Sequence, residues 1–87
     1  MARYLVERSL KGIPMEALAA AQKRAIDTAA DMSKDGAKVS YIRSAFVPED
    51  GRCMCMFEAE NAEQVKTLNQ KAEIPFNTVT PVLDLVP

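Results

Sequence analysis

The sequence predicts an α+β domain with the order strand–helix–strand–strand–helix–strand. Three observations carry that expectation. Two stretches have helical periodicity, four have the β-branched and aromatic content of strands, and connectors bearing proline, glycine or asparagine separate them. This order is the ferredoxin-like split βαβ arrangement. It lays four antiparallel strands in the spatial order 4-1-3-2 with both helices on one face. A length of 87 residues fits one domain over 1–87.

Arg3–Ser9 reads as the first strand, with Tyr4 and Val6 on one face and Leu5 and Glu7 on the other. Lys11-Gly12-Ile13-Pro14 connects it to a helix over Met15–Lys34, Pro14 being suited to the first helical position. Met15, Leu18, Ala19, Ile26, Ala29 and Met32 fall close to one stripe, and the many alanines permit close approach to a sheet. Asp35-Gly36 is the stop signal. Val39–Val47 is a second strand, Pro48–Gly51 a turn, and Arg52–Ala59 a third strand. Asn61 with Gln64 makes a capping box before a short helix striped by Val65, Leu68 and Ala72, which Ile74-Pro75 ends. Thr78–Val86 is the last strand. Pro81 removes an amide donor from it, which suits an edge position.

Composition excludes several classes. Hydrophobic residues make 48% and charged residues 26%, the balance of a soluble globular domain. A net charge of -1 with no basic tract argues against nucleic acid. The apolar runs are too short to span a bilayer, and the start shows no signal-peptide pattern, so a cytoplasmic protein with no membrane partner is expected. Histidine is absent, which leaves Glu, Asp, Tyr, Lys or Cys for any acid–base chemistry. Ser9, Ser40 and Ser44 thus lack a triad partner, and no glycine loop cradles phosphate.

The third strand, R-C-M-C-M-F-E-A, is largely apolar on both faces. A small domain cannot easily cover both faces of a sheet alone, so a homodimer in the form of a dimeric α/β barrel is expected. Tyr4, Val6, Ile42, Phe46, Cys55 and Phe57 are assigned to the helix-covered face. The parity then gives Leu5, Glu7, Tyr41, Arg43, Ala45, Met54, Met56 and Glu58 to the open face, with Arg3 beside them. Pairing about the Pro48–Gly51 turn sets Arg43 opposite Met56 and Tyr41 opposite Glu58. Glu7, Tyr41, Arg43, Met54, Met56 and Glu58 are therefore the expected ligand-binding residues, and Glu58 and Glu7 the candidate bases of any catalysis. The simplest role for Glu58 is an ion pair with Arg3 or Arg43. Cys53 and Cys55 lie too close on one strand to bridge each other, and they read more simply as packing than as soft-metal ligands.

Several blocks taken in order resemble a known family. They are Arg3-Tyr4-Leu5-Val6-Glu7-Arg8, the run Asp50 to Cys55-x-Phe57-Glu58-Ala59, and Ala62-Glu63 followed by Ile74-Pro75 and a Thr-x-Val-like last strand. The family is that of the small actinobacterial-type nickel-responsive proteins, long catalogued as a domain of unknown function. The resemblance implies a ferredoxin-like subunit, usually dimeric, with nickel as its metal. Carried over by position, Glu7, Cys55 and Glu58 match the family pattern, and Cys55 with Glu58 is the metal pair it suggests. In strand two the family has an aromatic–x–His–Ser–aromatic run where this chain has Tyr41-Ile42-Arg43-Ser44-Ala45, and Phe57 stands where the family often has tyrosine. Arginine cannot ligate nickel, so the pocket is expected to favour an anionic or polar organic ligand held by Arg43.

Three functions follow. The first is a dimeric, non-catalytic ligand- or metal-binding protein with its pocket on the open face. The second is a cofactor-independent dimeric α/β-barrel enzyme of oxygenase, isomerase or cyclase type, in which Glu58 or Glu7 takes a proton, Arg43 steadies an oxyanion and Tyr41 orients the substrate. The third is an assembly partner whose open face docks another protein.

Overall fold

The computed structural model describes residues 1–87. It contains β1 (Ala2–Ser9), α1 (Met15–Lys34), β2 (Val39–Phe46), β3 (Arg52–Ala59), α2 (Ala62–Lys71) and β4 (Thr78–Val82). The antiparallel sheet runs β2-β3-β1-β4, which is the expected 4-1-3-2 counted from the other edge. Pro81 lies on the edge strand, as its missing donor requires.

The inward residues of β1 are Tyr4, Val6 and Arg8, and those of β3 are Cys53, Cys55, Phe57 and Ala59. They meet Val65 and Leu68 of α2, both fully buried, and a line of three alanines and a methionine on α1. That line is Ala21, Ala25, Ala29 and Met32, flanked by Leu18. It differs from the expected stripe: Met15 and Ile26 are 69% and 45% exposed, and Ala19 faces solvent. The helix turns its alanine line to the sheet because small side chains let its backbone sit close, which leaves the bulkier flank outside.

The ends of the elements have local causes. Pro14 caps α1 from the extended region, one position before the site expected for it. Asn61 Oδ1 accepts from the Gln64 amide at 2.9 Å and opens α2. The Gln64 side chain answers to the Glu60 amide rather than to that of Asn61. Gly51 has φ +80, and its carbonyl accepts from the Leu10 amide at 2.8 Å. A Cβ there would stand 2.4 Å from Lys11 Cα, so only glycine fits where this turn crosses the β1–α1 connector. No helix is long and apolar enough to cross a membrane.

One irregularity redirects β2. Val39, Ser40 and Tyr41 pair with Ala59, Glu58 and Phe57, and Arg43 through Phe46 pair with Met56 through Cys53. Ile42 is therefore an extra residue, a bulge. Parity is preserved from Arg43 onward and reversed before it.

Candidate functional site

The face of the sheet away from the helices carries Leu5, Glu7, Arg43, Ala45, Met54, Met56 and Glu58, as expected. Leu5 lies opposite Met56 and Glu7 opposite Met54 on one side of β3, while Arg43 and Ala45 flank the same two methionines on the other. Leu5, Met54 and Met56 are half-buried and form an apolar floor. With Arg43, Ser44 and Ala45 they outline a shallow depression of about 130 Å³.

Charges close one end of this floor. Arg3 is registered opposite Glu58 and its Nε reaches Glu58 Oε2 at 3.2 Å. Arg3 Nη1 also meets Asp84 Oδ2 at 2.9 Å, and Arg43 Nη2 meets Asp84 Oδ1 at 2.8 Å. Asp84 thus bridges two guanidiniums, with its side chain only 15% exposed. This explains why β4 stops at Val82 instead of continuing to Val86: the chain leaves the edge and carries Asp84 over the sheet toward β2. Sequence reasoning missed Asp84. The signal was an acid inside the otherwise apolar run Val82–Val86, on a chain with unmatched arginines in β1 and β2.

Glu7 lies outside this network. It is exposed, accepts from Thr78 Oγ1 at 3.4 Å, and sits four residues along β1 from Arg3, about 13 Å at the rise of a strand. Glu7 and Glu58 are therefore not brought together. Tyr41 is a correction. The Ile42 bulge turns it to the helix side, where its ring packs edge-on to Phe57 at 5.5 Å and its hydroxyl accepts from Gln22 Nε2 at 2.9 Å. Ser40 takes the place opposite Glu58. Ile42, expected on the helix side, is the bulged residue itself. Cys55 and Glu58 are three positions apart on β3 and face opposite sides, so they do not form a joint metal site.

The helix side has its own cavity, a cleft of about 160 Å³ between α1 and the sheet. Tyr41, Ser44, Cys53 and Cys55 line it, with Ala21 and Ala25 above. Ser44 Oγ is hydrogen-bonded to the Tyr41 hydroxyl and lies 2.9 Å from Cys55 Sγ, which is 3.8 Å from Cys53 Sγ. Burial, then the neighbouring Cys55, push the Cys53 thiol up to about 11, and the nearby Arg8 charge offsets only part of this. Both cysteines are free thiols.

The family model described as nickel responsive protein SCO4226-like matches residues 4–82. The chain belongs to this family. The crystal structure of SCO4226 from Streptomyces coelicolor A3(2) is similar to it with a TM-score of 0.81 at 20% sequence identity, covering 98% of this chain and 100% of that one. That likeness is one of fold. No curated protein matches the chain. As an SCO4226-like protein the chain invites a test of its donors against nickel, and one subunit does not fit. It has no histidine, no three potential ligands gather at any point, and the open-face carboxylates Glu58 and Asp84 are already held by arginines. Arg43 adds positive charge where a cation would have to sit.

Proposed function

We propose that this SCO4226-like chain is a non-catalytic, dimeric binding protein whose open sheet faces close on one another around a small anionic or polar organic ligand. The observation that carries the reading is the convergence of Arg3 and Arg43 on one carboxylate, that of Asp84, at the end of an uncovered methionine floor. Arg43 spends one nitrogen on Asp84 and its side chain is 57% exposed, so its remaining donors are free for a ligand anion, and the thioethers beside it suit an apolar body. Dimer formation supplies the cover that the floor of Leu5, Met54 and Met56 lacks within one chain. The family's association with nickel supports a binding role in general, while this chain's donors favour an anion over a cation.

Catalysis by Glu58 or Glu7 has no comparable support. Glu58 is committed to Arg3, Glu7 stands apart, and Tyr41 is turned to the other side of the sheet. The test is native mass spectrometry of protein purified without added ligand, joined to equilibrium dialysis against nickel. A dimer carrying an organic anion that Arg43→Ala abolishes, with no stoichiometric nickel, is the expected result. A ligand-free monomer, or a dimer holding one nickel per site, overturns the proposal.

A further inference from the structure

The cleft on the helix side contains a charge that nothing in the chain balances. Arg8 is the last inward residue of β1 to face the helices and is 4% exposed. Its Nη1 donates to the Pro75 carbonyl at 3.2 Å, but Nε and Nη2 have no partner, and no carboxylate lies within ion-pair distance. A buried guanidinium without an anion is costly, and each orphaned N–H adds to the cost. Cys53, directly across from Arg8, supplies no negative charge, because its thiol keeps its proton at neutral pH. Nε and Nη2 are moreover the two donors along one edge of the guanidinium, the fork that takes a carboxylate with two parallel hydrogen bonds.

Around Arg8 the cleft is mainly apolar, with Leu10, Leu18, Phe46 and Ile74 on its walls and the alanine line of α1 above. Its volume, about 160 Å³, is close to that of an engineered apolar cavity of about 150 Å³ that admits benzene. We propose that this cleft binds a small monocarboxylate with a compact apolar or aromatic body, the Arg8 guanidinium, whose unpaired edge is closed to solvent in the free chain, turning into the cleft to hold the carboxylate while the body lies under Ala21 and Ala25. A single cation suits a singly charged, planar head. A phosphate dianion would need a second positive group or a set of amide donors, and the cleft lining offers neither. A soft metal on Cys53 and Cys55 is opposed by the same guanidinium. The site is separate from the open face, because Arg8 and Arg43 lie on opposite sides of the sheet.

Calorimetric titration with sodium benzoate, with benzyl alcohol as its uncharged counterpart, tests the proposal. Benzoate binds once per chain, with a dissociation constant between about 10 μM and 1 mM, and benzyl alcohol binds at least about tenfold more weakly. Ala21→Leu fills the cleft without touching the charge, and Arg8→Met removes the charge without opening space. Each weakens benzoate at least about tenfold in protein whose circular dichroism is unchanged. If Arg8→Met does not fold, Ala21→Leu and the benzyl alcohol comparison decide. Arg43→Ala, on the other face, leaves benzoate affinity as it was. Absence of benzoate binding up to about 20 mM, equal affinity for the alcohol, or affinity unmoved by Ala21→Leu overturns the proposal.

Discussion

Gly51 and Cys53 show how single positions are fixed by what surrounds them. Gly51→Ala places a methyl against the Lys11 backbone and forces a residue with φ +80 out of its preferred region. The expected cost is at least about 3 kcal/mol, read as a fall in the urea midpoint. Cys53 gives a pH dependence. Its proton is held more tightly in the folded chain, with a value of about 11 against the ordinary 9.0. The associated stability is complete below the unfolded value and is lost as pH rises through the folded one, so it drains away between pH 9 and about 11. The loss amounts to at most about 3 kcal/mol, and Cys53→Ala flattens that part of a stability–pH curve relative to the native chain. Iodoacetamide labelling at pH 8 is correspondingly slow until the protein unfolds. Neither position could be weighed from sequence alone. A turn glycine and a strand cysteine were legible there, but the backbone crossing and the second thiol against the first depend on packing.

Among the elements, the bulge in β2 separates what sequence could foresee from what it could not. Patterning located every strand and helix to within a few residues, because alternation and helical spacing are local properties. The face of each residue is not local. One inserted residue reverses parity, and so Arg43, Ala45, Met54 and Met56 were placed correctly while Tyr41 was placed on the wrong side. Deletion of Ile42 removes the surplus residue and keeps the register on both flanks. It should yield a folded protein with the Tyr41–Phe57 contact intact, visible as preserved near-ultraviolet dichroism. Deletion of Ser44, two positions on, is also absorbed by the bulge, but it sets Ile42 opposite Met56 and drives Arg43 inward opposite Cys55, so it should lower the urea midpoint far more than deletion of Ile42 does. In α2, Asn61→Ala removes the side-chain cap on the Gln64 amide and costs about 1 kcal/mol, a fall of roughly 4–8 °C in Tm for a domain of this size.

At the scale of the whole molecule, the helices cover one face of the sheet and leave the other to a floor of methionines edged by four charged groups. The sequence announced this through a strand apolar on both sides, and it named Arg3, Arg43 and Glu58 as neighbours. It did not reveal Asp84, because a five-residue tail has no periodicity from which its path could be read. If the open faces meet in a dimer, Met56→Arg places a charge in the middle of that contact. It should halve the mass in light scattering while leaving the fold and benzoate binding unchanged, the helix-side cleft being remote from it. The tail has a practical consequence. Met1, Ala2, Leu83, Asp84 and Val86 border a common hollow, so both termini emerge at the same rim of the methionine floor. A purification tag attached at either end would lie across the threshold of the proposed anion site and could be mistaken for its occupant. A tag spliced into the loop at Glu49-Asp50, at the far tips of the strands, would leave that threshold clear.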